Sequence, residues 1–383
     1  MLLRVGIDTH AAEQDGTGNC TWVRSLVKAL LERDDDIEYF LYATDPEHPF
    51  YASLSRRPVI RRLWPRNGMM RVPLALALMS VIDRLDLLHV QYVAPPLHRG
   101  RLLNTIHDLA FLRLPHAFSP VLRFRLSRQV PVHARRADAV MTGSRFSADD
   151  VTSCCRVDRS RVHVIPYGID SSRFNQEAST RAAPLLARLK VETPYLLCAG
   201  RLNRRKQLPV VLGAFERLRD DGRELTLVIV GPDDYGADSV RTQARTMKHG
   251  SHVKLAGTVT DDELPALMAA AAVFVYPSEF EGFGFPPLEA MACGTPVVSS
   301  RAGSLEEVLG DAALYVQPDD PATVADAIAR VIDDHAGRQG LVNAGLQQAA
   351  RYDWSRTAES TAALYCQLSG YGGLATSSKD ISR

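Results

Sequence analysis

Short apolar runs alternate with amphipathic stretches along almost the whole chain. The short runs predict buried parallel strands, and apolar residues recurring every three or four positions predict helices. Strands are predicted at residues 2–7, 38–42, 87–90, 102–106, 139–144, 162–165, 195–199, 225–231, 253–255, 272–278, 295–299 and 314–316. Helices are predicted at residues 21–31, 72–82, 120–137, 288–292, 321–333 and 356–368, with one more after Ser147 as its N-cap. This alternation predicts an α/β fold of two Rossmann-like parallel-sheet domains.

A change in composition divides the chain into two predicted domains. Residues 171–193 are polar, show no clear periodicity and carry Pro184, so we place the interdomain linker there. The first domain then spans residues 1–170 and the second spans residues 194–355. Residues 369–383 are rich in Gly and Ser, and we expect them to be disordered.

The most informative stretch follows the strand at residues 272–278. A loop there holds Glu281, Gly282 and Gly284, and a short helix with Pro near its start carries Glu289. The first N–H groups of a helix lack partners within the helix and attract anions and oxygen-rich groups. Two carboxylates beside such amides predict a ligand with many hydroxyl groups, such as a sugar or a ribose.

The same stretch resembles a known family. Glu281-Gly282-Phe283-Gly284, then Glu289-Ala290 and Gly294-Thr295-Pro296-Val297-Val298, resemble the signature of the family-four retaining glycosyltransferases of group 1, which have the GT-B fold. The resemblance implies two facing Rossmann-like domains with a cleft between them. It also implies transfer of a sugar from a nucleotide-diphospho-sugar to a hydroxyl acceptor, with neither metal nor cofactor. The acceptor would bind the first domain, the donor would bind the second, and the last helix would pack back on the first.

The resemblance also assigns roles to residues of the second domain. Arg201, in Gly200-Arg201-Leu202, and Lys206 would hold the donor diphosphate, where fixed cations stabilise the charge of the leaving group. Gln207 departs from the family, which usually has glycine after this lysine. Glu289 would hold the ribose, and Val259 would lie near the base. The transferred sugar would be held by Glu281 and the backbone of Gly282, Phe283, Gly284 and Phe285.

Two further sites are expected in the first domain. His107 ends a predicted strand in a Thr-x-His-Asp context, where the family places a histidine against the donor sugar. Gly16 and Gly18 match small residues of a loop near the donor phosphates. A dinucleotide fingerprint is disfavoured there, because Thr21 stands where the third glycine is needed and the glycines do not directly follow the strand.

The donor base and the acceptor are less well defined by the sequence. The sequences of residues 105–108 and 142–147 resemble those of polysaccharide mannosyltransferases. This resemblance favours GDP-mannose over UDP-sugars as the donor. It also favours a glycan or lipid-linked acceptor, as in cell-surface polysaccharide biosynthesis. A sugar-nucleotide epimerase or a phosphorylase on the same fold is an alternative. A non-catalytic protein that binds nucleotide sugars is another alternative.

A formal Asp-x-Asp at residues 34–36 lies at a helix-to-strand turn, which favours a solvated corner over a metal site.

Charge is unevenly distributed along the chain. The formal net charge is +1, yet residues 1–165 carry 23 Lys and Arg against 17 Asp and Glu. Six arginines precede the apolar helix at residues 72–82: Arg56, Arg57, Arg61, Arg62, Arg66 and Arg71. Two interpretations follow, namely peripheral contact with an anionic membrane or a core-facing helix after a charged loop.

No nucleic-acid partner is expected. Six cysteines without metal-ligand spacing, and no signal peptide, predict a cytoplasmic protein.

Overall fold

The structure of the protein is a computed structural model, and it describes residues 2–371. The strands of the first domain are β1 (Leu3–Asp8), β2 (Ile37–Ala43), β3 (Val59–Arg62), β4 (Leu87–Gln91), β5 (Arg101–Thr105), β6 (Ala139–Thr142) and β7 (Val162–Val164). Those of the second are β8 (Tyr195–Ala199), β9 (Thr226–Val230), β10 (Val253–Gly257), β11 (Val273–Tyr276), β12 (Val297–Ser299) and β13 (Ala313–Tyr315). They form two all-parallel sheets, ordered β3-β2-β1-β4-β5-β6-β7 and β10-β9-β8-β11-β12-β13. The predicted α/β fold with two Rossmann-like domains is confirmed.

Helices connect most of the strands, as parallel pairing requires, whereas a loop at residues 92–100 joins β4 to β5. In the first domain and its connection to the second, they are α1 (Gly18–Leu31), α2 (Pro49–Ala52), α3 (Gly68–Met70), α4 (Ala77–Ile82), α5 (Ala110–Arg113), α6 (Pro120–Arg136), α7 (Arg145–Cys155) and α8 (Ala182–Leu189). In the rest they are α9 (Leu208–Asp220), α10 (Ala237–Thr246), α11 (Glu263–Ala270), α12 (Phe285–Ala292), α13 (Leu305–Leu309), α14 (Pro321–Asp333), α15 (His335–Ala349) and α16 (Trp354–Ser369). A π-helical segment, Arg71–Leu76, joins α3 to α4.

The order of the strands determines which helices share a face of the first sheet. The chain moves outward from β1 to β3 and then returns to β4, so right-handed crossovers place α1 on one face and α4, α6 and α7 on the other. Val130 of α6 and Val151 of α7 accordingly share a core cluster with Leu76 and Leu88. Leu26 of α1 belongs to the other cluster.

The last helix crosses from the second domain to the first. The Thr357 hydroxyl of α16 donates to the carbonyl of Pro166 at 2.7 Å, and Tyr365 OH lies 2.7 Å from Nδ1 of the buried His89 on β4. Residues 171–193, where the linker is predicted, include α8 and a 3-10 helix, Gln176–Arg181, and these pack against α11. Of the predicted tail, residues 372–383 lie outside the described residues.

Candidate active site

The carboxyl ends of the two sheets face one another, and the glycine loop after β11 reaches the first domain. The Gly282 carbonyl accepts hydrogen bonds from Ser144 Oγ at 2.7 Å and Ser147 Oγ at 3.0 Å. A Cβ on Gly282 would lie 2.3 Å from the His107 carbonyl oxygen, so only glycine permits this approach. Ser144, rather than the predicted Ser147, is the N-cap of α7. Both serines therefore contact the second domain, and Ser144 caps the helix as well.

The start of α7 is also capped from the other domain. Glu307 of α13 accepts hydrogen bonds from the backbone N–H of Arg145 at 2.8 Å and of Phe146 at 3.1 Å. A carboxylate is stabilised by the unpaired amides and the positive end of a helix. These contacts hold the two domains together across the cleft.

Glu281 is the centre of a buried polar cluster in the loop. Its Oε1 lies 2.6 Å from Lys206 Nζ and 2.6 Å from Arg205 Nη1. The same oxygen accepts hydrogen bonds from Ser278 Oγ at 2.6 Å and Tyr276 OH at 3.1 Å. Burial alone raises the pKa of a carboxyl group, but Arg205 and Lys206 outweigh it and lower the Glu281 pKa to about 2. Glu281 is therefore an ionised carboxylate at any working pH.

Lys206 is the buried cation of this cluster. Its Nζ lies 4.3 Å from the centroid of the Tyr276 ring and also contacts the Tyr276 hydroxyl. Burial and the charge of Arg205 lower the Lys206 pKa to about 8, although Glu281 acts in the opposite direction. Sequence reasoning missed Arg205, which also donates to the Phe280 carbonyl at 2.7 Å. Arg205 and Lys206 outnumber the carboxylate of Glu281 in this cluster, and Asp108 acts on both cations from the first domain.

Arg201 lies apart from the cluster. Its half-exposed side chain donates from Nε to Asp234 Oδ2 at 3.0 Å, and the Asn203 amide donates to the same oxygen at 3.3 Å. Arg201 follows Gly200, whose carbonyl oxygen would lie 2.0 Å from a Cβ on Gly231, so the loops after β8 and β9 touch. The structure thus brings Lys206 and Glu281 together and holds Arg201 on a neighbouring acid.

Glu289, in the first turns of α12, contrasts with Glu281. Its side chain is buried, and no other group within residues 2–371 donates to it or pairs with it. Burial raises its pKa to about 7, with Asp261 and Asp170 contributing and Arg173 opposing. Val259, predicted near the base, is partly buried and packs against a core cluster. The same cluster contains Leu288, the residue before Glu289. A buried carboxylate without a partner has capacity to accept hydrogen bonds from a ligand.

His107 closes the cleft from the first domain. Its Nδ1 lies 2.9 Å from Tyr167 OH and its Nε2 lies 3.0 Å from Gln91 Oε1. Burial lowers the His107 pKa to about 3, so the ring is neutral. The Trp22 ring packs edge-on against it at 4.9 Å, and the buried Trp22 Nε1 and Gln91 Nε2 find no partner among the described residues. Sequence reasoning missed Trp22, Gln91 and Tyr167, since only the fold gathers them.

The two glycine loops border the same cleft. A Cβ on Gly16 would lie 3.4 Å from Pro232, and one on Gly18 would lie 4.0 Å from Phe285. Gly284 takes the left-handed conformation, with φ +95°, immediately before α12. The Phe283 and Phe285 rings pack on Tyr167 at 4.9 Å and 5.6 Å. Their side chains therefore join the domains, and their backbone is the part available to a ligand.

The Asp-x-Asp stretch does not join the site. Asp35 precedes β2, at the amino end of the sheet, and accepts hydrogen bonds from Arg33 and Tyr39 at 3.2 Å each. The cleft is formed at the carboxyl ends. In the part of the chain that the structure describes, no three His, Cys, Asp or Glu side chains gather at metal-ligand spacing.

Comparison with known proteins gives the family. Residues 187–348 match the family described as Glycosyl transferases group 1, and residues 20–173 match Glycosyltransferase Family 4. The chain belongs to these glycosyltransferases. Lys206, Glu281 and Glu289 lie in the first match, and His107 lies in the second. The resemblance expected from the sequence is confirmed.

Individual glycosyltransferases are similar over long stretches. The O-antigen chain mannosyltransferase B of Escherichia coli is 30% identical over 268 residues, or 69% of this chain and 70% of that protein. The D-inositol 3-phosphate glycosyltransferase of Salinispora arenicola is 27% identical over 413 residues, or 96% of this chain and 92% of that protein. The Anabaena HepE protein, solved in complex with UDP-glucose, superposes with a TM-score of 0.74 over 95% of this chain and 100% of that chain. At 18% identity this last likeness shows the GT-B fold alone.

Proposed function

We propose that this glycosyltransferase transfers a sugar, with retention of anomeric configuration and without a metal, from a nucleotide-diphospho-sugar to a hydroxyl acceptor on a glycan or a lipid-linked glycan. The observation that carries the proposal is the buried Arg205–Lys206–Glu281 cluster beside an unpaired Glu289. Two largely buried cations suit a diphosphate, and the free carboxylate suits a ribose diol.

The proposed binding mode follows the distribution of charge. Lys206 holds the diphosphate, and Arg201 exchanges Asp234 for a phosphate oxygen when the donor enters. Glu289 accepts hydrogen bonds from the ribose, with the base near Val259. Glu281 and the backbone from Gly282 to Phe285 face the transferred sugar, together with the neutral His107.

The proposed chemistry needs no covalent enzyme intermediate. The Glu281 carboxylate is held by two cations and two hydroxyl groups, which is an arrangement suited to positioning rather than to nucleophilic attack. The departing phosphate oxygen takes the proton of the acceptor hydroxyl on the face from which it leaves. Lys206 and Arg201 stabilise the charge that develops on that phosphate, so the rate comes from positioning and fixed electrostatics.

GDP-mannose is the proposed donor, ahead of UDP-sugars. The similarity to the Escherichia coli mannosyltransferase supports this donor, as do the sequences of residues 105–108 and 142–147. HepE was solved with UDP-glucose, so UDP-glucose is the comparison donor in the test.

Hydrolysis of the donor, with water in place of the acceptor, tests the reaction type. The protein is incubated with GDP-mannose or UDP-glucose in chelator, and the first sugar released is identified by proton NMR before it mutarotates. We expect the α-anomer from one of these α-linked donors, with Lys206→Gln slower by at least about 10-fold.

Other products would contradict the proposal in distinguishable ways. The β-anomer would indicate inversion, and an altered sugar still attached to the nucleotide would indicate an epimerase. Release of a sugar phosphate from a glycan and inorganic phosphate, supplied in place of the nucleotide sugar, would indicate a phosphorylase. Nucleotide binding without release of sugar from either donor would favour a non-catalytic protein.

A further inference from the structure

One segment of the first domain is strongly basic. Residues 56–136 contain 15 Arg and three Asp, with neither Lys nor Glu, which gives a net charge of +12 in a chain whose net charge is +1. Asp83 is buried and paired with Arg61, and Asp86 accepts a hydrogen bond from the Arg4 backbone. Asp108 faces the cleft. Arg62, Arg66, Arg101 and Arg113 pair with acids from outside the segment. The charge that remains on the outer surface of the segment is therefore mostly positive.

Exposed apolar side chains concentrate in the same segment. Of the large apolar residues that the structure shows as exposed, only Leu2 and Tyr235 lie elsewhere. The others are Trp64, Met70, Leu74, Leu78, Val81, Ile82, Leu97, Val121, Leu122, Phe124 and Val132. Scattered apolar residues are normal on a surface, whereas a concentration of them marks an interaction site.

The helical segment ending in α4 is apolar on two faces and buries only one. Leu76 is fully buried against the core, but Leu74, Leu78 and Val81, at a helical spacing of four and three, are each more than half exposed. Ile82 extends the exposed row. The expected packing of this helix on the core is thus seen on one face, and its other face is exposed to solvent among the described residues.

A loop joins the exposed sides of α4 and α6 into one surface. The Arg99 backbone N–H donates to Ser80 Oγ of α4 at 3.0 Å, and Arg136 of α6 donates to the Pro96 carbonyl. Leu97, which is 78% exposed, lies between these two anchors. Because α4 and α6 cover the same side of the sheet, their outer surfaces and this loop are continuous, and we call them the α4–α6 face.

We infer that the α4–α6 face docks on an anionic lipid bilayer. Aliphatic side chains at an interface bury themselves at the boundary between headgroups and acyl chains, and arginines beside them bind lipid phosphates. A surface for nucleic acid combines basic residues with several aromatic rings that stack on bases, whereas Phe124 is the one aromatic ring among the exposed apolar side chains that the structure describes on α4, α6 and the loop between them. Within residues 2–371 no helix is long and apolar enough to cross a bilayer, so the contact is peripheral.

The α4–α6 face ends beside the cleft. Residues 115–117, directly before α6, contact the second domain, where Asn203 Nδ2 donates to the Ala117 carbonyl at 3.1 Å and His116 Nε2 lies 3.0 Å from Glu279 Oε2. A bilayer on this face therefore lies next to the opening between the domains. If the proposed function holds, on which this consequence rests, the acceptor is a lipid-linked hydroxyl presented at the membrane surface.

Co-sedimentation with vesicles tests the inference. The whole protein is mixed with phosphatidylcholine vesicles with and without phosphatidylglycerol. One triple variant removes apolar contacts (Leu74→Gln, Leu78→Gln, Phe124→Gln), and one removes charge (Arg123→Gln, Arg125→Gln, Arg128→Gln). The matched control removes three exposed arginines of the second domain (Arg217→Gln, Arg245→Gln, Arg330→Gln).

We expect the wild type and the control to bind only vesicles that contain phosphatidylglycerol, and less strongly at high salt. The arginine variant should partition about 100-fold less, since each basic residue near the surface contributes about 1 kcal/mol. The apolar variant should lose about 10-fold or more. Melting temperatures measured with and without nucleoside diphosphate confirm that each variant is folded and keeps its donor site.

Three results would overturn the inference. The first is no binding of the wild type to either vesicle. The second is an equal loss in the control. The third is a loss in the arginine variant without a loss in the apolar variant, which would identify a polyanion such as nucleic acid or an acidic protein. If vesicle binding fails while nucleoside diphosphate still raises the melting temperature, only the membrane inference fails. If the wild type shows no nucleotide response, the proposed function fails.

Discussion

Glu281 and Glu289 show how neighbouring carboxylates acquire opposite chemistry. Both are buried, but two cations lower the Glu281 pKa to about 2, whereas burial without a cationic partner raises the Glu289 pKa to about 7. The sequence predicted both as ligand-binding residues. It contained no signal for the difference, because that depends on Arg205, which reads as one more solvated residue in an Arg-Arg-Lys run. Burial of that arginine is a tertiary effect.

Donor affinity should therefore be greatest in a narrow pH window. Below pH about 7 Glu289 becomes protonated and no longer accepts hydrogen bonds from both ribose hydroxyls. Above pH about 8 Lys206 of the ligand-free protein loses the charge that attracts the diphosphate. Titration calorimetry with a nucleotide sugar, whose diphosphate does not itself titrate here, measures the profile. Glu289→Gln should abolish the acid limb and Lys206→Arg the alkaline limb. A flat profile in the wild type would count against these roles.

Glu289→Gln should also stabilise the free protein at alkaline pH. The pKa of Glu289 is raised from 4.5 in the unfolded chain to about 7 in the folded protein. The folded protein therefore loses stability as the pH rises from 4.5 to about 7, and it does not regain this stability at higher pH. At pH 8 we expect a gain on the order of 1–3 kcal/mol, seen as a higher melting temperature, which disappears near pH 4.5. The exposed Glu224→Gln is the control. A gain of equal size at both pH values would show that ionisation is not its cause.

At the scale of elements, apolar runs located nearly all strands that are buried in the sheets. The prediction missed β3, because it is an edge strand and two of its four residues are arginines. It also missed α8, whose apolar residues lie in a segment broken by Pro184. Capping was misassigned at α7, since Ser144 and Ser147 are both suitable residues and the choice depends on where β6 ends. Contacts between domains, such as Glu307 with α7, leave no pattern in the sequence.

Gly282→Ala tests the close contact between the glycine loop and the first domain. The new Cβ would lie 2.3 Å from the His107 carbonyl oxygen and 2.5 Å from Asp108 Cβ, so the domains must move apart. We expect kcat/KM to fall on the order of 100-fold, because small misplacements of reacting groups are costly, while the nucleotide Kd changes less than about threefold. Gly340→Ala in α15, where a Cβ meets nothing within 4 Å, is the control. An unchanged kcat/KM in Gly282→Ala would show that this contact is not needed for turnover.

At the scale of the whole molecule, the two domains border one cleft, and each contributes groups that the other lacks. The second domain supplies the charged cluster and Glu289, and the first supplies His107 with its aromatic surroundings. The aromatic cluster of Tyr167, Phe285 and Trp354 crosses the boundary, with Tyr167 and Trp354 stacked at 6.4 Å. Helix α16 and the α7 cap strengthen the same junction. The fold class was predictable from periodicity, but the contacts that join the two domains were not.

Titration calorimetry of the whole protein with GDP, UDP, ADP and dTDP in chelator tests most directly whether the buried Arg205–Lys206–Glu281 cluster binds a donor diphosphate. We expect one of them to bind with one-to-one stoichiometry. Lys206→Gln should weaken that binding at least about 10-fold, and the exposed Arg217→Gln should leave it unchanged, with all variants first shown to be folded. If no nucleoside diphosphate binds, or if one binds as tightly to Lys206→Gln as to the wild type, the buried cluster is not a donor diphosphate site.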